Sequence, residues 1–342
     1  MVSRNNRYDN YKAFLGLLVI YGHTFHVINS EFPVMGGVYV FIYLFHMPAF
    51  LFVSGMFSKK VVDNHDIRRC GSLFITYLLV KFIRLISRMI INGKVQYTYL
   101  FTEGGIAWFA LTTMECLLLT MLVKKVKRSY VFILSILLGC LVGYCKDIGT
   151  FLSLSRTFVY FPYFYLGYCC TLEQVEKASN KKWIKIICVV FIVIVFFAMI
   201  SNAKLVSPYS EFIKSKESYY EYADQLVYPA LGGCYRLVLY VIGFALVFAF
   251  LLLMPKKKIP IISELGTRTL SMYVFQYPLV KLTYKNSWMK NFALVHCNSA
   301  IQIAIFYLIV SMIIYLICSL LPLEKAARKL TSIPMETKNE TN

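Results

Sequence analysis

Charge is what this sequence has least of. Asp, Glu, Lys and Arg make up 15% of its 342 residues, where a soluble chain carries about 25%. Hydrophobic residues make up 58%. They come in runs such as 184–200 (IKIICVVFIVIVFFAMI), apolar all round apart from Lys185 at the edge. An ordinary soluble domain is excluded, because such runs suit lipid and a spanning helix needs about 20 mostly apolar residues. Acidic residues are scarce as well, 17 against 36 Lys and Arg, for a net charge of +19. The cations sit in short clusters between apolar runs, which is how membrane proteins fix their orientation, so no nucleic-acid partner is expected. Paired CxxC spacings are missing although there are ten cysteines. Cys140, Cys188 and Cys318 lie inside apolar runs and read as small buried hydrophobes, and no metal site is expected. Internal repeats and low-complexity linkers are absent too. The first apolar run is too long for a cleaved signal peptide, holds Lys12 and His23, and is followed by further spans.

What is there is an all-α pattern, a polytopic membrane bundle in one domain over 1–342 with no separate soluble domain. Ten spans are expected at about 11–29, 35–57, 71–91, 106–123, 130–145, 150–170, 184–201, 232–254, 269–285 and 300–321, with 322–342 as a short tail. The loops alternate in charge. One side holds 23 Lys and Arg, from Arg4, Arg7 and Lys12 to Lys338, and the other holds seven, Lys94, Lys146, Lys204, Lys214, Lys216, Lys285 and Lys290. This bias predicts a multi-pass protein of the cell membrane with both termini cytoplasmic. The longest outer loop, 202–231, sets Tyr209, Tyr219, Tyr220, Tyr222 and Tyr228 among Glu211, Glu217, Glu221 and Asp224. It reads either as an interfacial aromatic belt or as a surface that meets a sugar-like acceptor.

Ionisable groups at membrane depth are costly and face the bundle interior. Lys81, Arg84, Arg88, Arg156, Arg236 and Lys281 fall inside the expected spans. With His23, His26, Glu115 and Gln276 they imply a polar cavity. Lys12 and His23 are eleven residues apart. On a helix that returns them to within roughly 20° of one face and separates them by about 16 Å along the axis. A surface cation could hold phosphates while a long arm carries a reactive group inward to the imidazole, the shape of coenzyme A. The spacing alone equally fits a positive-inside lysine anchor and a histidine that hydrogen-bonds between helices.

Longer stretches add a resemblance. RYDNYKAFLGLLVIYGH (7–23) resembles the opening of the membrane-bound acyltransferase-3 family, the fucose 4-O-acetylase-like enzymes, whose signature is Arg or Lys, ten residues, then His. FHMPAFLFVSGMF, with His46, Met47, Pro48, Ser54 and Gly55, looks like that family's second-helix motif. WFALTTME (108–115), SRTFVYFPYFYLGY (155–168) and LGTRTLSMYVFQYPLV (265–280) are similar to later motifs, with Gln276 where many members carry His. The order is kept from about residue 7 to 325. Some members continue into an extracytoplasmic hydrolase-like domain; here the chain is expected to stop soon after the tenth span.

The resemblance implies an O-acyltransferase of a bacterial plasma membrane. Its donor would be acyl-CoA, usually acetyl-CoA, and its acceptor a hydroxyl of a cell-surface polysaccharide or a lipid-linked saccharide among the membrane lipids. His23 would be the general base or carry a transient acyl group. Glu115 is grouped with it as catalytic and is expected to pair with Arg156 or Arg236. Lys12, Asp9 and Arg156 are expected at the coenzyme, Asp9 orienting the Lys12 ammonium from three residues away. Ser54, Arg84, Arg88, Trp108 and Gln276 are expected at the substrate. Lys81, Arg84 and Arg88 form one stripe that either holds an anionic acceptor or snorkels to the interface. Pro48 is expected to kink the second span. A flippase or exporter of lipid-linked glycans is the rival reading.

Overall fold

The computed structural model describes residues 5–93, 99–222 and 228–333. Arg4, Lys94 and Lys338 of the charge pattern, Asp224 of the tyrosine-rich loop and the end of the tail lie outside the described residues. Among the described residues there are ten long helices and no strand, only an isolated bridge between Thr102 and Phe151. The helices are α1 (Arg7–Phe25), α2 (Pro33–Met56), α3 (Arg68–Asn92), α4 (Trp108–Val123) and α5 (Arg128–Leu141). They continue with α6 (Leu154–Cys169), α7 (Lys182–Ser201), α8 (Gly232–Leu253), α9 (Thr269–Tyr284) and α10 (Ala300–Cys318). Each overlaps one of the ten expected ranges. Five of them are long and apolar enough to cross a membrane by length and composition: α1, α2, α7, α8 and α10. A further helix, α11 (Leu321–Thr331), occupies the start of the expected tail and packs on α3 and α9.

Position in the bundle follows from composition. Only 11% of α7 is buried, at a mean hydropathy of 3.0. A helix apolar on every face and left exposed needs lipid around it. The span of α2 is 78% buried, which makes it the central helix. It runs through Pro48 without a break in its helical bounds, so the expected kink does not interrupt the helix. Against it lies α6, and the two backbones meet where each carries a glycine. A Cβ at Gly55 would overlap the Phe164 carbonyl oxygen, and one at Gly167 would overlap that of Phe52. Small residues at a crossing let helices approach to backbone contact.

The first turn of α1 and the last described helix, α11, lie at one end of the bundle. The short helix Pro260–Thr267 lies on α1, with Gly266 against the Asp9 carbonyl, and Arg328 of α11 donates to Thr267 O at 3.1 Å. At the opposite end the segment 203–222 folds into short helices that cap α2. Its Phe212, Tyr219 and Tyr222 are buried in a cluster of their own. The expectation of a tyrosine surface for the acceptor is therefore corrected: Tyr220 and Tyr228 are exposed, but Tyr219 and Tyr222 are the core of the cap. Tyr219 is fixed there by donating to Cys140 O at 2.8 Å.

The Gly55–Gly167 crossing sets the position of Ser54 and of the α6 aromatics. Gly55→Val is expected to force α2 and α6 apart at a cost at or above the roughly 1–3 kcal/mol of overpacking. Gly104→Ala, whose Cβ would make only ordinary van der Waals contact with Thr150, is the control. Thermal unfolding of the detergent-purified proteins measures it; an unchanged midpoint for Gly55→Val would show that the crossing is not tight.

Candidate active site

The first turn of α1 is built from polar residues that sit on other helices' ends. Arg7 is 1% exposed and donates from Nη1 to Leu251 O and Leu252 O and from Nη2 to Ser179 Oγ at 2.7 Å. The last carbonyls of α8 lack helical partners, so a guanidinium suits them. Asn10 donates to Pro255 O and Lys257 O and accepts from Ser263 Oγ at 2.6 Å. Between these anchors Lys12 reaches Asp9 at 2.9 Å, the pairing that their spacing predicts.

From Lys12 a single cavity of about 620 Å³ runs along α1 between α2, α3, α4, α6 and α9. At the end near the termini it is lined by Lys12, Ser58, Arg69, Ser72, Arg328 and Thr331. Ser54, Thr113, Met272 and Gln276 line the length between. At the loop end the lining includes His23, His26, Tyr39, Tyr43, Trp108, Arg156, Lys214 and Lys216. Lys12 and His23 thus face one continuous space, about 16 Å apart along one helix.

The His23 imidazole has no hydrogen-bond partner among the described residues. Its backbone carbonyl lies 3.1 Å from His26 Nδ1, and Tyr284 Oη lies 3.1 Å from the same nitrogen. His46 lines the cavity too. Its Nδ1 is 2.8 Å from Ile42 O. A carbonyl only accepts, so Nδ1 carries the proton and Nε2 is the free nitrogen. Tyr39, Tyr43 and His46 sit at i, i+4 and i+7 of α2 and form one wall, with Tyr39 and Tyr43 stacked at 4.2 Å and Tyr43 edge-on to His46 at 4.7 Å. Lys214 lies over both tyrosines, at 5.1 and 5.5 Å. Both Lys214 and Lys216 pair with Glu211, in the cap. Burial pushes the Glu211 carboxyl up, but the two ammoniums outweigh it and hold it below the ordinary carboxylate range.

Gln276 is 2% exposed and its Oε1 has no hydrogen-bond partner among the described residues. A buried amide left unpaired beside a cavity costs stability unless something in the cavity pairs with it. Trp108 stacks on Tyr160 at 5.3 Å, and the Arg156 guanidinium lies over the Trp108 ring at 4.7 Å. Ser54 lines the cavity.

Other expected residues are placed elsewhere. Glu115 is not among the lining residues. Thr157 Oγ1 donates to its Oε2 at 2.5 Å and so ties α4 to α6. Neither Arg156 nor Arg236 pairs with Glu115, which corrects that expectation. Arg156 donates to Lys214 O and Glu103 O, and Arg236 to Phe212 O at 3.1 Å. The cap and loop carbonyls take up the two guanidiniums, and Thr157 takes up the Glu115 carboxylate. Arg156 is accordingly at the opposite end of the cavity from Lys12 and Asp9. Arg84 and Arg88 are likewise off the cavity. Lys81 and Arg84 are neutralised by Glu103, at 3.5 and 3.2 Å, and Glu103 Oε1 also accepts from Gly105 N at 2.5 Å. Glu103 is wholly buried. Lys81 and Arg84 are therefore loop anchors, not an open anion site. Sequence reasoning passed over Glu103, whose signal was an acid beside two glycines opposite cations at i and i+3. It also passed over Arg69 and Arg328, counted only as orientation charges, and Lys214 and Lys216.

The description "Acyltransferase domain" matches residues 5–320. No curated protein and no solved structure matches the chain. Since that match runs through all ten long helices and both ends of the cavity, the chain belongs to the acyltransferase-3 family of membrane acyltransferases.

Proposed function

We propose that this acyltransferase takes acetyl from acetyl-CoA at the Lys12 end of the cavity. The acetyl goes to a hydroxyl of a cell-surface polysaccharide or its lipid-linked precursor, presented at the loop end. The observation that carries the reading is the unpartnered His23 imidazole on the same cavity, and the same helix face, as Lys12. The charge bias of the loops supports a cytoplasmic Lys12 end, where the coenzyme is made and where its phosphates need not enter hydrocarbon. Lys12, pre-oriented by Asp9, is a point charge for those phosphates. Val53, Leu73 and Met272 line the shaft and suit the apolar parts of a pantetheine arm. Gln276 offers the amide partner that the arm's own amides need.

His23 accepts the proton of the acceptor hydroxyl as its oxygen bonds to the thioester carbonyl carbon. The C–S bond then breaks, and the thiolate leaves with that proton. Arg156 and Lys214 lie at this end and favour the negative charge that builds on the carbonyl oxygen. Glu115 stays outside this scheme as a positioning contact between α4 and α6.

His23→Ala is expected to lower acetyl transfer by about 10²–10⁴-fold, the range for a lost general base, with coenzyme affinity unchanged. Wild-type transfer by that variant removes His23 from the mechanism. For Lys12→Ala the Kd for coenzyme A is expected to rise about tenfold, the equivalent of one lost charge-assisted contact. Lys12→Arg should keep most of the affinity, and an unaltered Kd in the alanine variant would leave Lys12 as an anchor only.

The decisive experiment is sidedness. In proteoliposomes of fixed orientation, labelled acetyl-CoA at the Lys12 face should acetylate a saccharide acceptor held only at the loop face. Labelling that needs both substrates at one face overturns the through-cavity route. Movement of a lipid-linked glycan between leaflets without label transfer favours the flippase.

A further inference from the structure

The cap brings charges of its own to the cavity. The short helix Ser210–Lys214 and the turn after it place Lys214 and Lys216 at the loop end, beside His23, Tyr39, Tyr43 and Arg156. No Asp or Glu lines the cavity among the described residues. The two ammoniums share one carboxylate, that of Glu211, whose side chain is 42% exposed against 20% for Lys214 and 28% for Lys216. The acid therefore stands on the solvent side and the ammoniums on the cavity side. Arg156 donates to the carbonyls of Lys214 and Glu103, and to no carboxylate among the described residues.

A strained turn brings the two lysines together. Residues two apart on a helix do not share a face. Ser215, between them, sits in the left-handed region at φ 56° and is 1% exposed. Its N–H donates to Phe212 O and its Oγ to Ile213 O, both at 3.1 Å. The reversal there lets both lysines reach Glu211. A residue other than glycine is held in that region only where the surrounding structure enforces it, and such positions gather at ligand clamps. Beside the lysines, the stacked rings of Tyr39 and Tyr43 offer a flat apolar face on which the C–H face of a sugar ring can pack.

Arg156 and Lys214 answer the charge that builds on the reacting carbonyl oxygen. Lys216 is a third cation with no such duty, and its ammonium has further N–H donors beyond the one that faces Glu211 at 3.4 Å. We propose that Lys216, steadied by Glu211, binds an anionic group of the acceptor, so that the saccharide acylated here carries a carboxylate or a phosphate close to the reacting hydroxyl. This rests on the reading of the loop end as the acceptor end. The absence of any acid from the cavity lining carries the assignment: an anion entering there meets uncompensated positive charge and no repulsion. An ammonium on a flexible stem can follow an anion whose position differs between saccharides, and a partly exposed site loses less in desolvation than a buried one.

The test measures acetyl transfer from acetyl-CoA by the full chain in nanodiscs to matched oligosaccharides. Glucose, galactose and mannose oligomers are each compared with their uronate forms, and the neutral oligomers are offered again on a polyprenyl pyrophosphate. An anion on the acceptor should raise kcat/KM about tenfold over the neutral form, the equivalent of one charge-assisted contact. Lys216→Gln should bring that ratio close to one at the wild-type thermal midpoint, and Lys216→Arg should keep most of it. A preference for the uronates assigns the anion to the sugar; a preference for the lipid-linked neutral forms assigns it to the pyrophosphate. Equal transfer to charged and neutral acceptors, or a ratio that Lys216→Gln leaves intact, overturns the anion subsite while the acyltransferase reading stands. If no acceptor in the panel is acetylated, the acetyl-transfer reading falls and the subsite falls with it.

Discussion

The first turn of α1 is held by hydrogen bonds from buried polar side chains as well as by the packing of Tyr8 on Phe57. Arg7 satisfies the end of α8, Asn10 holds the turn at Pro255 and Lys257, and Tyr11 donates to Val247 O at 3.0 Å. Each of these groups would be costly to bury unpaired. The helix is thereby fixed at its polar end, and a helix is stiff along its axis. Lys12 and His23 inherit a fixed separation, and every other wall of the cavity is arranged around that line. The RYDN stretch is thus structural in three of its four residues, Arg7, Tyr8 and Asn10, while Asp9 pairs with Lys12.

The same accounting governs the charges at membrane depth. A lone charge there is expensive, so each finds a partner or a water-accessible space. Lys81 and Arg84 find Glu103, with Lys81 also donating to the carbonyls of Tyr99, Leu100 and Thr102. Arg236 caps the carbonyl of Phe212 and lies over its ring at 4.5 Å. These contacts fasten loops to the loop end of the bundle. Arg156 differs. It is 5% exposed, meets only carbonyls and a ring, and still lines the cavity. It therefore leaves a guanidinium at the His23 end of the cavity.

Much of the bundle was legible in the sequence because its cause is local. Apolar runs of spanning length become helices whatever surrounds them, since lipid leaves the backbone no other partner. The Lys12–His23 geometry is equally local, being a consequence of 3.6 residues per turn, and so is the Tyr39, Tyr43, His46 wall. Asp9 finds Lys12 for the same reason. What the periodicity of one helix does not contain is which face of another helix, or which loop, meets it. Glu115 and Arg156 are both polar residues in apolar runs, and nothing in their own segments distinguishes the one that joins two helices from the one that lines the cavity. Arg69 and Arg328 are separated by most of the chain and are brought to one rim by α11 folding over α3 and α9. Lys214 reaches the aromatic wall only because the cap closes over α2. The elements and one helix-borne pair of site residues thus follow from the sequence by itself, through backbone hydrogen bonding and helical pitch. The membership of the cavity was decided by tertiary structure, because desolvation forces each buried charge to the partner that packing makes available, and that partner is seldom near in sequence.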